Sequence, residues 1–398
     1  MKLWALVFFL LPLLGCTYVG WHVWRILPLA TVWKCVVVIV MAACFVLFIM
    51  NFVIGLDRVP LPLARVMYNV GNSSLIILLY LFMLFLALDV VALVLHFVRP
   101  SLGEGMGVGS RDSLPGTLCV LGFMVALFTY ANLHYLNKVR VPMEIDSKGK
   151  VTRPLKLVLM SDLHLGYHNG RAEFAKWVDK INAEQPDLVL IAGDIIDISV
   201  RPLLEENVAE EFHRLKAPVY ACLGNHEYYS GEPRAQQFYL DAGIHLLRDS
   251  VVTLPDYGNL TIIGRDDRTN VGRKSVAELV PTPNPSRGEG GLDTLSTAEA
   301  NQTPLPSGGV GGGFLLLLDH QPYHLERTAA AGVDFQFSGH THYGQVWPIS
   351  WIEDAIYECA YGSLTKGNTR IYVSSGIGIW GGKFRIGTQS EYVVLTLK

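Results

Sequence analysis

Several short clusters of carboxylate, amide and imidazole side chains recur along the last two thirds of this chain, each directly after an apolar run. They are Asp162-Leu163-His164, Asp194 after Gly193, Asn225-His226-Glu227, Asp319-His320 and His340-Thr341-His342. Carboxylate oxygen, amide oxygen and imidazole nitrogen are donors for divalent cations, and this mixture suits manganese, iron or zinc better than calcium. None of the clusters contains the paired cysteines of a structural zinc site. Taken singly, an Asp-x-His or a His-x-His is usually a satisfied surface or core group. Recurrence of such groups at successive strand ends points instead to a metal centre. Asp194, with two carboxylate oxygens, is read as the bridge between two ions.

Strands must place these clusters. Short β-branched or leucine-rich runs stopped by glycine or a polar residue read as buried strands, and ligands in open α/β sheets collect past the carboxyl ends of such strands. The sequence predicts them at residues 155–160, 188–192, 218–223, 314–318 and 335–338, with further strands at 260–264, 370–374 and 392–397. Phe174, Trp177, Val178 and Ile181 recur at helical spacing after the first strand, and Leu204, Val208, Phe212 and Leu215 do so after the second. Both stripes are read as core-facing helix surfaces with no cofactor implied. The alternation predicts an α/β domain over residues 153–398 with a two-layered β core flanked by helices. Residues 281–313 are rich in proline and glycine and nearly free of apolar side chains, which predicts an inert surface insertion.

The first third differs. Mean hydropathy is +0.32, high for a soluble chain of 398 residues. Apolar stretches at 3–18, 32–54, 75–98 and 118–136 approach the about 20 residues needed to cross a bilayer. We read residues 1–137 as four transmembrane helices and 138–152 as a connector. Leu13-Leu14-Gly15-Cys16 could pass for a lipoprotein cleavage site, but apolar and aromatic residues continue through Pro28 and favour an uncleaved span. Asp89 and His96 are costly in lipid and mark either a functional site or polar groups facing a neighbouring helix. With the N-terminus inside, Lys2, Arg58, Arg65, Lys138 and Arg140 lie on inner loops, against Arg25, Lys34, Arg99 and Arg111 outside. Lys148, Lys150, Arg153 and Lys156 follow close behind, so the large domain is expected in the cytoplasm. A formal net charge of −3 with no Lys/Arg block gives no reason to expect nucleic acid. Cys16, Cys35, Cys44 and Cys119 fall in apolar spans, leaving Cys222 and Cys359, which is no disulfide framework.

In this order, Asp162-Leu163-His164, Gly193-Asp194-Ile195-Ile196-Asp197, Gly224-Asn225-His226-Glu227, His320 after an apolar run and Gly339-His340-Thr341-His342 resemble the calcineurin-like metallophosphoesterases. Gly264-Arg265-Asp266-Asp267, Asp319-His320-Gln321-Pro322 and the glycines around Trp380 look like their membrane-anchored bacterial branch, which includes phosphodiesterase-like and UDP-2,3-diacylglucosamine hydrolase-like proteins. The insertion and the number of spans depart from that branch, at no ligand position. The resemblance implies a four-layer α/β/β/α sandwich. It implies that Asp162, His164 and His342 hold one metal, that Asn225, His320 and His340 hold the other, and that Asp194 bridges them. It makes His226 a phosphate stabiliser or the proton donor to the leaving oxygen.

Phosphate-ester hydrolysis fits such a centre. An anionic phosphorus must accept an oxygen nucleophile, and two cations about 3.5–4 Å apart offset the charge and lower the pKa of water. An imidazole with a pKa near 6.5 can donate to a departing alkoxide. Asp197 is read as orienting a ligand, and Glu227 as a hydrogen-bonding support. His168, Tyr167, Arg265 and Arg385 are either substrate contacts or ordinary loop residues. The expected protein is a multi-pass protein of the bacterial inner membrane, acting on a lipid or nucleotide-activated lipid. The alternatives are a phosphodiesterase or phosphatase on soluble substrates and a catalytically silent metal-binding sensor.

Overall fold

The structure is a computed structural model that describes residues 3–98, 113–281 and 313–398. Apart from its two end residues, the insertion expected at 281–313 lies outside the described residues. The chain divides into two compact units, Met1–Asn137 with Ile379–Ile386, and Lys138–Gly378 with Gly387–Lys398.

The first unit contains α1 (Leu3–Ile26), α2 (Thr31–Val53), α3 (Leu61–Val98) and α4 (Leu114–Leu136). Among the described residues, three helical stretches, Thr31–Asn51, Leu61–Val98 and Leu114–Leu136, are long and apolar enough to cross a membrane. The fourth expected span, 3–18, falls within α1, which continues through Trp21 and Trp24 to Ile26. The third begins well before the expected residue 75, and its 38 residues amount to about 57 Å of helix. Its polar start was read as loop, yet those side chains fold back on their own helix. Asn69 and Asn72 donate to the carbonyls of Arg65 and Tyr68 at 2.8 Å, and Ser74 to Gly71 at 2.7 Å, the local bonding that lets short polar residues sit inside a helix. Asp89 faces α1, where its carboxylate accepts from Tyr18 at 2.6 Å and lies 3.0 Å from His22 Nε2. Residues 379–386 pack among these helices, with Arg385 N–H donating to the Ala131 carbonyl and Phe384 edge-on to Phe128 at 4.7 Å. Trp380 and Arg385 thus group with the helical unit, while Gly376 and Gly378 just before them lie against Asp162 and Leu163.

Among its described residues the second unit has twelve strands, in chain order β1 (Lys138–Ile145), β2 (Leu155–Met160), β3 (Leu188–Ala192), β4 (Val219–Cys222), β5 (His245–Leu246), β6 (Ser250–Leu254), β7 (Leu260–Gly264), β8 (Leu315–Leu318), β9 (Phe335–Ser338), β10 (Gly362–Lys366), β11 (Thr369–Val373) and β12 (Ser390–Leu397). They form two six-stranded sheets, ordered β1-β12-β2-β3-β4-β5 and β10-β11-β9-β8-β7-β6. Side chains alternate across each strand. Leu157, Leu159, Leu188 and Leu190 point between the sheets, where they meet Ile262, Leu316, Leu318, Phe335 and Phe337. Val158, Met160, Val189 and Ile191 point outward onto Phe174, Trp177 and Val178 of α5 (Arg171–Ala183) and their neighbours. Also on this face are residues of α6 (Arg201–Glu205), α7 (Ala209–His213) and α9 (Glu232–Asp241), while α8 (Asn225–Tyr229) follows β4. On the far side, Ile263 and Leu317 pack on α10 (Val276–Leu279), and Ile371 and Val373 on Leu325 of α11 (Leu325–Ala330). The order is thus helix, sheet, sheet, helix, the four-layer sandwich expected.

Two local expectations change. The stretch read as a connector, 138–152, opens with β1, which pairs in parallel with β12 from Lys138↔Ser390 to Ile145↔Leu397. β1 contains Pro142, which a sheet edge tolerates. The stripe Leu204, Val208, Phe212, Leu215 is split between α6 and α7 at Asn207, whose φ is 53°. The break turns Leu204 out to solvent, and Leu203 fills the core in its place.

Candidate metal centre

Three adjacent parallel strands of one sheet, β2, β3 and β4, end in Asp162 and His164, in Asp194, and in Asn225 and His226. Two adjacent parallel strands of the other, β8 and β9, end in His320, and in His340 and His342. Stacking the sheets face to face brings these ends together. The chain must turn sharply there, and Asp162, His164, Asp194, His340 and His342 all adopt left-handed backbone, with φ of 55°, 44°, 52°, 73° and 48°. That region costs an L-residue about 1–2 kcal/mol, and such residues gather where a site over-determines them. Here they are held by backbone bonds between the loops, Asp162 N–H to the Gly193 carbonyl at 3.1 Å and His164 N–H to that of Asp194 at 3.0 Å. Close approach explains two glycines. A Cβ at Gly224 would lie 2.2 Å from Asp194 Oδ1, and one at Gly339 2.2 Å from Asp162 Oδ2.

The donor atoms form two groups around one carboxylate. His164 Nε2 lies 2.9 Å from His342 Nε2, and these two nitrogens lie 3.9 and 3.5 Å from Asp162 Oδ1. His320 Nε2 lies 3.2 Å from Asn225 Oδ1, which is 2.8 Å from His340 Nδ1. Asp194 Oδ2 joins the groups, 3.7 Å from His164 Nε2 and 3.1 Å from His320 Nε2. Asp162, His164 and His342, and likewise Asp194, His320 and His340, are spaced so that each triplet could hold an ion. The surroundings fix the rings for this. His320 Nδ1 is 2.7 Å from the Ala192 carbonyl, which makes Nδ1 the protonated nitrogen and turns the Nε2 lone pair into the cluster. His164 Nδ1 faces Asp197 Oδ1 at 3.4 Å in the same way.

Charge supports the fit. Asp162 and Asp194 are buried, and among the described residues their ion-pair partners are histidines, with no Lys or Arg. Burial and the neighbouring Asp194 push the Asp162 carboxyl up, whereas His320 and His226 hold Asp194 well below the usual range against its burial. Burial lowers His226, but Asp194 and Asp197 outweigh it and raise the imidazole to about 9. Burial and His320 push His340 down to about 4. Buried carboxylates and inward-turned ring nitrogens without a fixed positive partner are the donor set that divalent cations satisfy.

All eight residues singled out from the sequence meet here. His226 sits at the margin, 13 % exposed, with Nδ1 3.0 Å from the Asp197 carbonyl and its ring 4.4 Å from that of His164. Glu227 is fully buried and accepts three backbone N–H bonds, from Gly224 at 2.7 Å, Ile196 at 3.0 Å and Asp194 at 3.1 Å. It ties the β3 and β4 loops together, the supporting part expected of it. Arg265 is turned away onto Asp319 at 3.0 Å and the Lys274 carbonyl.

Sequence reasoning missed two groups. Buried Glu391 on β12 accepts from Tyr361, Tyr372, Ser374 and Gln389 and so anchors the loop whose Gly376 lies against Asp162. Tyr357, whose ring is 6.3 Å from that of His340, meets Tyr323 at 3.0 Å between hydroxyls, and the Arg268 guanidinium lies 3.9 Å above the Tyr323 ring. Isolated tyrosines on loops carry no periodicity that would have flagged them.

Comparison with known proteins agrees with this geometry. The sequence profile of the calcineurin-like phosphoesterase family matches residues 155–344. A metallophosphoesterase of Campylobacter jejuni is 29% identical over 333 residues, covering 80% of this chain and 78% of the relative. A metallophosphoesterase of Aquifex aeolicus is 28% identical, covering 70% and 98%. A protein of Danio rerio named as a transmembrane protein with a metallophosphoesterase domain is 26% identical, covering 92% and 80%. The α/β unit is thus a calcineurin-like phosphoesterase domain, and the chain is a metal-dependent phosphoester hydrolase that also carries helices apolar enough to cross a membrane.

Proposed function

We propose that the chain hydrolyses a phosphodiester or pyrophosphate presented at a lipid surface, a lipid or a nucleotide-activated lipid, with two divalent cations. The observation that carries the two-ion reading is the shared position of Asp194 Oδ2 between the His164 and His320 nitrogens. Asp162, His164 and His342 would hold one ion, and Asn225, His320 and His340 the other, with Asp194 common to both. When bound, the pair would offset the phosphate charge and lower the pKa of water. Manganese, iron and zinc all suit these donors.

The chain's own residues do the rest. His226 keeps Nδ1 on the Asp197 carbonyl, so Nε2 is the atom that gives a proton to the leaving oxygen. Asp197 also faces His164 Nδ1 and holds that ring's orientation. A tethered hydrolase gains nothing for a soluble ester, which supports a membrane substrate. The basic residues after α4 support a cytoplasmic domain on a bacterial inner membrane.

The full-length protein in detergent, loaded with manganese, should cleave bis-p-nitrophenyl phosphate. His226→Ala should lose about 10²–10⁴-fold in turnover with unchanged metal content by elemental analysis. Turnover near wild type would remove His226 from the mechanism. Side-by-side rates on lipid and soluble phosphodiesters decide the substrate class.

A further inference from the structure

The helix α12 (Ile349–Ile356) follows the His340–His342 loop and is built inside out. Ser350 is its buried residue, while Trp351, Ile352 and Ile356 are 65%, 56% and 59% exposed. Trp347, one turn before, is 42% exposed and packs edge-on to Trp351 at 5.3 Å. A helix of a water-soluble domain turns its apolar stripe to the core. This one turns it outward and carries two tryptophans, the side chains that favour the membrane–water boundary.

We propose that the Trp347, Trp351, Ile352 and Ile356 surface seats in the interfacial layer of a lipid bilayer. Lipid is the occupant because the same chain supplies helices apolar enough to cross one. The last of them ends at Leu136 and β1 begins at Lys138, so a single residue, Asn137, joins helix to domain. A second junction adjoins the surface itself. Directly after residue 386 of the helical unit, Gly387 lies against Trp347, and the Thr388 hydroxyl donates to the Gln345 carbonyl at 2.6 Å. The helix has no Lys or Arg and carries Glu353 and Asp354, so the attraction is apolar and is directed at neutral headgroups rather than anionic ones. The seat is tied to the chemistry at both ends: α12 leaves from the His342 turn, and Thr341 donates to the Ala360 carbonyl beyond it at 2.7 Å. Docking there would hold the His340–His342 loop beside the membrane surface. Its consequence for the chemistry rests on the hydrolase reading; the seat itself does not.

The test places a photo-crosslinking amino acid at position 352 of the full-length protein in phosphatidylcholine nanodiscs, with position 240, a 72% exposed leucine on α9, as the control. Lipid adducts by mass spectrometry at 352 well above those at 240 are expected. Equal labelling at the two positions, or a covalent dimer from 352, would overturn the seat in favour of bulk solvent or a second copy. In parallel, Trp351→Glu with Ile352→Glu should lower hydrolysis of a bilayer-embedded phosphodiester by at least about tenfold, with bis-p-nitrophenyl phosphate hydrolysis and melting unchanged. Unchanged lipid hydrolysis, or an equal loss on both substrates, would overturn the coupling of seat to chemistry. If wild type cleaves neither ester, the hydrolase reading fails while the crosslinking result still decides the seat.

Discussion

Glu227 offers the sharpest test of how the centre is held together. Its carboxylate takes three backbone N–H donors from two loops, and it is fully buried. Glu227→Ala would leave those donors without partners. A hydrogen bond to a charged acceptor contributes about 1.5–3 kcal/mol, and an orphaned buried donor costs about 1–3 kcal/mol. Water entering the space left behind relieves part of this, so the net loss is set at about 3–5 kcal/mol, the scale for breaking a buried charged contact. At about 2–4 °C per kcal/mol for a domain of this size, the melting temperature should fall by about 6–20 °C. Because the freed loops carry Asp194 and Asn225, metal affinity should fall by about 10–100-fold as well. Glu227→Gln keeps the volume and one acceptor but sets an amide NH₂ against an N–H, so it should lie between the two. The assay is thermal unfolding of the detergent-solubilised full-length protein with and without manganese, together with metal titration. An alanine variant that melts within about 2 °C of wild type and binds metal normally would refute the tie.

The other predictions concern the site and its frame. Asp194→Asn should leave at most one ion per chain by elemental analysis, since the shared oxygen loses its charge. Gly224→Ala, whose Cβ would meet Asp194 at 2.2 Å, should displace that carboxylate and weaken metal binding while the fold, read by circular dichroism, persists. Asp266 is buried, which raises its carboxyl, but bonds from Asn270, Arg248 and Tyr228 overcome this and lower its pKa. A depressed folded pKa contributes stability above the unfolded value of about 3.9 that is lost as pH falls through the folded one. Wild type should therefore lose melting temperature more steeply than Asp266→Asn below about pH 4.

Much of the α/β unit was legible because its strands are short apolar runs with ligands at their ends. Leu188–Ala192 and Leu315–Leu318 could hardly be anything else, and Asp194 and His320 followed from them. What was missed obeys long-range rules. β1 looked like linker because Lys138 and Arg140 make it basic, and that it forms an edge strand is set by pairing with β12 far along the chain. The early start of α3 was hidden by Asn69, Asn72 and Ser74, whose polarity is absorbed by their own helix. Nothing local in the glycine-rich stretch around Trp380 shows that residues 379–386 group with the helices while Gly376 and Gly378 stay against the Asp162 loop.

The placing of β12 between β1 and β2 bears on how the protein is made. Both neighbours leave the ribosome long before the strand that joins them. Until Ser390–Leu397 emerges, β1 lacks its partner among the described strands and the first sheet remains open along β2. A nascent chain inserted by its helices would thus wait at the membrane with an unfinished sheet throughout the translation of nearly the whole domain. Chains held on the ribosome with β12 still inside it should carry a protease-sensitive domain, and those that have released β12 a resistant one, which makes the arrival of that strand the moment at which the sheet closes.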